Sequence, residues 1–216
     1  MLELGYKVFL SYLAGSLNGA LLVGLLYGGV DIRKQGSGNA GGTNALRTQG
    51  KLFAALVMIV DIGKGVLPVV FLPGLALGLV PLDPQVSRDW LTYACGAAAI
   101  FGHCYPVWFE FKGGKGAATT LGVLAAIYPP ALIPATITWV GTLFIVGYVG
   151  PATVMAGFSI PVYLFFLNDM PQSMVLFTTA IGFFVLYTHR SNMKSLFSGD
   201  SEPDVSSSLY ARLRKI

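Results

Sequence analysis

Long apolar runs alternate with short polar segments along most of the chain. They cover roughly residues 4–27, 52–72, 90–107, 117–128, 131–148, 150–167 and 172–188. Most of them approach the ~20 residues that an α-helix needs to cross about 30 Å of hydrocarbon. Pro129-Pro130 divides two of the runs because proline cannot continue a helix. The pattern predicts an all-α integral membrane protein, a bundle of seven transmembrane helices with short re-entrant or loop motifs, with six or eight spans as alternatives.

The composition excludes a soluble domain. Asp, Glu, Lys and Arg make up 11% of the 216 residues, against about 25% in an ordinary soluble domain. A soluble protein of this composition would expose large apolar patches, and the same apolar content excludes disorder. Cys95 and Cys104 are too few for a disulfide framework and read as reduced packing residues. The first apolar run is too long for a signal peptide, so we expect it to be retained.

The basic residues are distributed unevenly among the polar segments. With seven spans, most of the 14 basic residues fall on one side of the membrane: Arg33, Lys34, Arg47, Lys51, Lys112, Lys115, Arg190, Lys194, Arg212, Arg214 and Lys215. The positive-inside rule makes that side cytoplasmic, with the N-terminus outside and the C-terminus inside. A sided membrane protein explains the net charge of +4 better than nucleic-acid binding, for which the chain has no aromatic-and-basic stripe.

The chain divides into a single transmembrane domain, residues 1–197, and a polar cytoplasmic tail, residues 198–216. The basic end of the tail lies either on anionic lipid or in solvent. Inside the second span, Asp61 and Lys64 stand three residues apart. Ionisable groups are costly at that depth, so we expect them to face the bundle interior and pair, as a structural salt bridge rather than as a substrate contact.

The first polar segment, residues 36–51, reads GSGNAGGTNALRTQGK. Its glycines allow successive backbone N–H groups to turn toward one anion, and its arginine offers a fork suited to phosphate. The alternative is a plain connector, which would not need these side chains. A dinucleotide-binding loop is excluded because no strand precedes the glycines. The candidate ligands are Ser37, Asn39, Thr43, Asn44 and Arg47.

Two further polar segments follow on the same predicted side. Residues 102–116, GHCYPVWFEFKGGKG, place Lys112 and Lys115 around Gly113-Gly114, with His103 near the end of its span as either a structural or a functional residue. Residues 189–202 begin with HRSN. There, His189 and Asn192 share a face if the preceding helix continues.

Several chemistries are missing from the sequence. It has no G-x-S-x-G nucleophile elbow and no Cys/His or carboxylate cluster to hold a metal, so we expect neither a metal nor a cofactor. Neither histidine begins an H-x4-D pattern. The remaining polar groups are donors and cations, which predicts a site for multiply charged anions, phosphates in particular, at the inner membrane surface.

Taken together, these segments resemble the bacterial membrane glycerol-3-phosphate acyltransferases that use acyl-phosphate, the PlsY family. The matching stretches run in order over residues 12–199: YLAGSLNGA, VDIRKQGSGNAGGTNALRTQGK, DIGKG, GHCYPVWFEFKGGKGAATTLG and HRSNMKSLFSG. The resemblance implies a seven-helix bundle in the bacterial inner membrane with a cytoplasmic active site. It also implies acyl transfer from acyl-phosphate to the sn-1 hydroxyl of glycerol 3-phosphate, the first step of phospholipid synthesis, which gives lysophosphatidic acid and inorganic phosphate.

The resemblance also assigns roles to residues. It places the phosphate of glycerol 3-phosphate on Ser37, Arg47, His189 and Asn192. Acyl-phosphate is expected near Lys112, Lys115 and the Gly113-Gly114 backbone, while Asn39, Thr43 and Asn44 shape the first loop. The acyl chain is expected between the helices. We expect a monomer whose partners are its two small-molecule substrates and membrane lipid.

The proton acceptor is open at this stage. His103 and His189 are both candidates, since an ordinary histidine titrates near pH 6.5, and a substrate phosphate is the third. We favour the phosphate because no carboxylate is well placed, and we count Arg47 and Lys115 with the histidines as catalytic candidates.

Two places depart from the family pattern. Gly150 and Thr153 stand where the family usually has serines, and Gly199 is followed by Asp200, Ser201 and Glu202 in altered spacing. A transporter of small phosphorylated solutes is the alternative function. Transporters, however, tend to bind their substrates at the midplane between internal repeats, and no repeat is evident here.

Overall fold

The computed structural model of the chain describes residues 2–76, 78, 80–167, 169–198, 204, 205, 208 and 209. The chain forms two compact units, Met1–Ile127 and Tyr128–Ile216. The altered spacing at Gly199–Glu202 lies outside the described residues, as does most of the predicted tail.

Among the described residues of the first unit, six α-helices are formed: α1 (Leu2–Gly15), α2 (Gly19–Leu26), α3 (Gly42–Gln49), α4 (Lys51–Phe71), α5 (Arg88–Cys104) and α6 (Ala117–Ile127). Helix α1 packs against α5, and α4 packs against α6. Glycines sit where the backbones approach most closely. A Cβ on Gly15 would lie 2.6 Å from the Cα of Ala99, and a Cβ on Gly65 would lie 3.1 Å from the backbone nitrogen of Val123. Small residues at such crossings are typical of helices that associate in lipid.

The first predicted span is broken at residues 16–18. Helices α1 and α2 meet there at an angle of 46°, and Asn18 caps α2 by accepting a hydrogen bond of 3.2 Å from the N–H of Leu21. The break also exposes polar backbone groups, which the second predicted span satisfies. Lys64 donates to the carbonyl of Leu17 at 3.1 Å, and Asp61 accepts from the N–H of Gly19 at 2.9 Å.

The predicted pairing of Asp61 and Lys64 is confirmed. Nζ of Lys64 lies 2.9 Å from Oδ1 of Asp61, and both side chains are buried. Each member also binds the backbone at the break between α1 and α2, as a structural salt bridge would.

A second ion network, formed by buried Glu3 and Lys7 with the partly exposed Arg88, holds the start of α1. Both oxygens of Glu3 accept hydrogen bonds from Arg88, at 2.7 and 2.9 Å, and Lys7 donates to the same carboxylate at 2.7 Å. Lys7 and Arg88 also donate to the carbonyl of Pro73. The network therefore fixes the start of α1 to the segment that precedes α5.

The second unit contains α7 (Leu132–Val146), α8 (Val149–Phe165), α9 (Gln172–Thr188) and α10 (Arg190–Ser198), with a 3-10 turn over Pro129–Ala131 before α7. Helix α8 packs against both α7 and α9. Helix α7 is capped after Val146 by Gly147, whose φ of 86° lies in the left-handed region that glycine adopts without strain.

The all-α architecture is confirmed, and every predicted run contains a helix. Lys51–Phe71 and Pro129–Val146 are long and apolar enough to cross a membrane, and α1 with α2 would make a third span if the bent pair is counted as one. Helices α6, α8 and α9 are apolar but shorter. The number of spans therefore stays a prediction.

Candidate active site

Asn44 organises the first polar segment. It is 1% exposed, and its Nδ2 lies within hydrogen-bond distance of the carbonyl oxygens of Ile32 (2.9 Å), Gln35 (3.0 Å) and Asn39 (3.1 Å). Its Oδ1 accepts the N–H of Ser37 at 3.0 Å. One buried amide thus fixes the loop from residue 32 to residue 39, so Asn44 shapes the loop through contacts that use its whole side chain.

The other predicted ligands of this segment are arranged around that hub. Thr43 and Arg47 lie on α3 one helical turn apart, which places them on one face, and both are exposed. Ser37 is exposed as well, on a turn between two glycines with positive φ, Gly36 at 55° and Gly38 at 72°. This geometry presents hydroxyl and guanidinium groups where a soluble phosphate can reach them.

The Gly113-Gly114 pair folds back on the end of α5. The N–H of Gly113 donates to the carbonyl of Cys104, and that of Gly114 to the carbonyl of His103, both at 3.1 Å. These N–H groups, expected to serve acyl-phosphate, are therefore engaged within the protein. The glycines are needed for close approach: a Cβ on Gly114 would lie 2.8 Å from both the carbonyl oxygen of Ala40 and Cε1 of His103.

His103 lies beneath this turn. It is 2% exposed, its Nδ1 is 3.3 Å from Oδ1 of Asp61, and its Nε2 edge packs against Gly114. The second oxygen of Asp61 has no hydrogen-bond partner among the residues that the structure describes. The enclosed ring therefore supports the glycine turn in this arrangement, and its role as a base stays a hypothesis.

The two lysines beside the glycines differ in exposure. Lys112 is mostly exposed and its Nζ lies 3.2 Å from Oε2 of Glu110, whereas Lys115 is half-buried. Glu110 and Phe111 have φ values of 57° and 58°, a left-handed conformation that costs non-glycine residues about 1 kcal/mol or more. The strained pair turns the chain just before Lys112.

Arg33 joins the first two polar segments, a role that sequence reasoning missed. Its Nη1 donates to the carbonyls of Phe109 and Lys112, both at 3.1 Å. Its Nε and Nη2 bind the Asp31 carboxylate at 3.0 and 2.8 Å. The hydrogen bonds from Arg33 lower the pKa of Asp31 below its ordinary value, although partial burial opposes this. In the sequence, only the Asp-x-Arg spacing in VDIR pointed to Arg33. This spacing does not indicate hydrogen bonds to the distant carbonyls of Phe109 and Lys112.

Asn18 makes a second connection to the first segment that the sequence did not indicate. Its Nδ2 donates to the carbonyl of Ala40 at 3.3 Å, while its Oδ1 caps α2. Since Ala40 also lies against Gly114, the break in the first span, the first loop and the glycine turn all meet at one place. The first two motifs are therefore brought together within the first unit.

His189 lies in the second unit, at the end of α9. Helix α9 stops at Thr188 and α10 starts at Arg190, so the helix does not run straight on as the shared face of His189 and Asn192 had assumed. The ring is buried, with Nδ1 2.9 Å from the carbonyl oxygen of Val185. Because only a protonated nitrogen can donate to a carbonyl, Nδ1 carries the proton and neutral His189 has its lone pair on Nε2.

The two residues that depart from the family pattern lie in the first turns of α8. Thr153 donates its hydroxyl to the carbonyl of Val149 at 2.8 Å and accepts from Nε1 of Trp139 at 3.3 Å. Gly150 has no hydroxyl, and its Cα lies close to Asn192. Neither position therefore presents an uncommitted side-chain hydroxyl.

The residues of the first two motifs offer hydrogen-bond donors and cations, the groups that bind phosphates. Exposed donors and cations from the first two motifs sit on loops that buried side chains hold in place. No group of three or more His, Cys, Asp or Glu residues that could hold a metal occurs in the described part of the chain. An apolar helical bundle with such loops defines a class of protein: a membrane protein that acts on phosphorylated substrates.

Comparison with known proteins identifies the family. Residues 6–199 match the family model described as glycerol-3-phosphate acyltransferase. A glycerol-3-phosphate acyltransferase of Azotobacter vinelandii is 39% identical over 191 residues, spanning 88% of this chain and 94% of its own length. One from Zymomonas mobilis is 37% identical over 193 residues, spanning 88% and 90%. The chain belongs to the glycerol-3-phosphate acyltransferase family and is an acyltransferase.

Solved structures agree with this assignment. The glycerol 3-phosphate form of PlsY (YgiH), an integral membrane glycerol 3-phosphate acyltransferase, is 32% identical, has a TM-score of 0.79 and covers 94% of this chain and 96% of its own. Its lysophosphatidic acid form has a TM-score of 0.77 and covers 93% and 94%. The resemblance to the PlsY family is thereby confirmed, and the apolar helices of this chain are those of a membrane protein.

Proposed function

We propose that the protein transfers a fatty acyl group from acyl-phosphate to the sn-1 hydroxyl of glycerol 3-phosphate, releasing lysophosphatidic acid and inorganic phosphate. The observation that carries the proposal is the joining of the first two motifs by Arg33, which binds Asp31 beside the first loop and the carbonyls of Phe109 and Lys112 in the second. The exposed donors of one loop and the lysines of the other therefore belong to one rigid assembly.

The reaction requires the protein to position its two substrates rather than to activate the acyl group strongly. Acyl-phosphate is a mixed anhydride, so its carbonyl carbon is already electrophilic. The glycerol hydroxyl oxygen forms the new ester bond to that carbon, the bond from the carbon to the phosphate oxygen breaks, and the hydroxyl proton leaves with a phosphate. The protein must hold the two anionic substrates side by side, and fixed cations and donors offset the repulsion between their phosphates.

We assign the phosphate of glycerol 3-phosphate to Ser37 and Arg47, which are exposed on the first loop and on α3. Acyl-phosphate is assigned to Lys112 and Lys115. Gly113 and Gly114 take part by letting the backbone approach closely, because their N–H groups are engaged. Asn44 shapes the first loop through the four contacts of its amide, and Asn39 and Thr43 stay assigned to substrate binding on the same loop.

The resemblance also assigns the phosphate of glycerol 3-phosphate to His189 and to Asn192. We propose each of these two assignments independently of the other. The hydrogen bond from Nδ1 of His189 to Val185 leaves Nε2 as the nitrogen that would accept a proton or, in the charged ring, donate to a phosphate oxygen. Substituting each residue alone and measuring KM for glycerol 3-phosphate tests the two assignments independently.

A substrate phosphate is the proton acceptor that we favour. The ring of His103 is enclosed by Gly114 and Asp61, which supports a positioning role for it rather than contact with a hydroxyl. A phosphate oxygen of either substrate needs no further residue to reach the attacking hydroxyl group. In this scheme Arg47 and Lys115 act by stabilising the charge that develops on the phosphates.

We further propose a seven-helix monomer in the bacterial inner membrane, with an outside N-terminus and its motif loops in the cytoplasm, where lipid surrounds the apolar faces. Cysteines introduced one at a time as Lys34→Cys and Gln85→Cys, both exposed positions, beside the buried Cys95 and Cys104, test this in oriented vesicles. A membrane-impermeant maleimide should label the first from the cytoplasmic side alone and the second from the opposite side. Labelling of both from one side would overturn the topology.

The donor is tested by offering purified protein glycerol 3-phosphate with palmitoyl-phosphate, palmitoyl-CoA or palmitoyl-acyl carrier protein, and measuring lysophosphatidate by mass spectrometry. Product is expected with palmitoyl-phosphate alone. Product from a thioester would contradict the proposed donor. Absence of product with every donor, together with glycerol 3-phosphate flux into proteoliposomes, would favour a transporter instead.

A further inference from the structure

One carboxylate oxygen of Asp61 contacts three other groups. Oδ1 accepts the N–H of Gly19 at 2.9 Å and lies 2.9 Å from Nζ of Lys64 and 3.3 Å from Nδ1 of His103. Gly19 and Lys64 belong to the break in the first span, whereas His103 lies in the last turn of α5, where the second motif begins. Asp61 is therefore the point at which the break and the second motif meet inside the first unit.

The contact with His103 goes beyond what the buried charge of Asp61 needs. A buried charge is costly unless it is paired and hydrogen-bonded, and Lys64 with the N–H of Gly19 already meets that need. Within the part of the chain that the structure describes, Oδ2 of Asp61 and Nδ1 of His103 have no hydrogen-bond partner, although both atoms are buried. They belong to neighbouring groups, and the terminal torsion of an aspartate is broad, so a small rotation of the carboxylate would join them.

The ring of His103 extends this contact to the glycine turn. Its other nitrogen, Nε2, lies against Gly114, where a Cβ would leave no room for it. The carbonyl of His103 also accepts the N–H of Gly114 at 3.1 Å. Side chain and main chain of one residue thus support the turn that separates Lys112 from Lys115. A ring whose Nδ1 faces a carboxylate carries its proton there, so Asp61 sets which nitrogen is left to face the turn.

We infer that Asp61 is a positioning residue for acyl-phosphate: it holds His103 in the orientation in which the ring supports the Gly113-Gly114 turn. The inference rests on the proposed function, in which acyl-phosphate binds at the lysines on either side of that turn. Asp61 contacts no substrate in this scheme and acts through His103.

Asp61→Asn tests the inference, and Glu3→Gln is the matched control. Each substitution removes the charge of a buried carboxylate that pairs with a cation, but Glu3 binds Lys7 and Arg88 instead of the end of α5. In the folded fraction, Asp61→Asn should raise KM for palmitoyl-phosphate about tenfold, as when one hydrogen bond to a charged group is lost. It should change KM for glycerol 3-phosphate much less.

Glu3→Gln should lower Tm and leave both KM values unchanged. A merely structural role for Asp61 would give a different pattern. An equal rise of both KM values in Asp61→Asn, or the same rise for palmitoyl-phosphate in Glu3→Gln, would overturn the inference.

A cycle with His103→Gln tests whether Asp61 acts through the ring. His103→Gln alone should raise KM for palmitoyl-phosphate, and adding Asp61→Asn to it should cause no further rise. Two rises that multiply in the double variant would overturn the inference, as would an unchanged KM for palmitoyl-phosphate in folded His103→Gln.

The contact between Asp61 and His103 can also be measured without changing Asp61, which keeps the inference testable if Asp61→Asn does not fold. Nitrogen-15 NMR of protein labelled at histidine reports which ring nitrogen is protonated, and comparison with His103→Gln assigns the signals. Nδ1 of His103 should carry a proton in wild type. A ring with Nδ1 unprotonated would overturn the inference.

Failure of the proposed function would look different. Wild type would then give no lysophosphatidate from palmitoyl-phosphate, and the inference would fall with it. If wild type gives that product while Asp61→Asn keeps wild-type KM values for both substrates, the proposed function stands and only the role of Asp61 is overturned.

Discussion

Arg33 donates a hydrogen bond of 3.1 Å from Nη1 to the carbonyl oxygen of Lys112, which lies 79 residues further along the chain. The opposite edge of the same guanidinium binds Asp31 through Nε and Nη2. A single side chain therefore sets the separation between the loop that carries Ser37 and the loop that carries the two lysines. The separation of two phosphates in the proposed reaction would depend on that distance.

Replacing Arg33 with lysine should disrupt this arrangement while keeping the charge. A lysine ammonium cannot reproduce the planar fork that binds a carboxylate on one edge and carbonyls on the other. We expect kcat/KM for both substrates to fall by about 10- to 100-fold, as misplacement of reacting groups does in other enzymes. Lys34→Gln, at the exposed neighbouring position, is the control and should retain wild-type kinetics. Unchanged kinetics in Arg33→Lys would show that the loops hold their separation without the fork.

The Asp31–Arg33 pair predicts a pH-dependent part of the stability. The pKa of Asp31 is lowered by the hydrogen bonds from Arg33, so the stabilisation is fully present above the unfolded-state pKa of about 3.9 and is lost as pH falls through the lower folded-state pKa. Thermal unfolding in detergent should therefore give wild type a higher Tm than Asp31→Asn at pH 7. The difference should shrink below about pH 4. A difference that is the same from pH 3 to pH 7 would mean that the carboxylate charge contributes nothing.

Asn44→Ala should destabilise the first loop. The substitution removes the donor that the carbonyl oxygens of residues 32, 35 and 39 share in buried or partly buried contacts, and a buried polar group left unsatisfied costs about 1–3 kcal/mol. We expect a clear fall in Tm together with a loss of acyltransferase activity. Thr43→Ala, at the adjacent but exposed position, is the control for stability and should leave Tm unchanged. Equal Tm values for both variants would contradict the view of Asn44 as the hub of the loop.

The two histidines should respond differently to glutamine. His103→Gln should lower Tm, because the ring packs against Gly114 and beside Asp61, and should leave most of kcat in the folded fraction. His189→Gln should chiefly raise KM for glycerol 3-phosphate. Steady-state kinetics with both substrates varied will separate these effects. Loss of kcat by several orders of magnitude in either variant, with substrate binding intact, would identify that histidine as the base.

The helices could be predicted from the sequence because a chain that crosses a bilayer must pair its backbone N–H and C=O groups with each other. Each apolar run accordingly holds a helix. The break at Ser16–Asn18 could not be predicted, because the groups that satisfy it, Asp61 and Lys64, come from another helix. The end of α9 at Thr188 does not show in the hydrophobic pattern either.

The sequence could indicate which residue types make up the site, but not which role each residue has. An asparagine amide binds a loop carbonyl as readily as a phosphate, so the sequence could not show that Asn44 is a buried hub while Thr43 beside it is exposed. Arg33 counted only as one more cation, since its carbonyl partners are distant in sequence. The Gly113-Gly114 N–H groups read as available donors until the fold paired them with the end of α5.

The most direct test of the account follows both products of one reaction. Purified protein is mixed with palmitoyl-phosphate and glycerol 3-phosphate, and inorganic phosphate and lysophosphatidate are measured together, alongside Arg47→Ala and Lys115→Ala. Wild type should give equal amounts of the two products, and folded samples of the two variants should lose both. Phosphate release without lysophosphatidate, or full activity in folded Arg47→Ala and Lys115→Ala, would contradict the account.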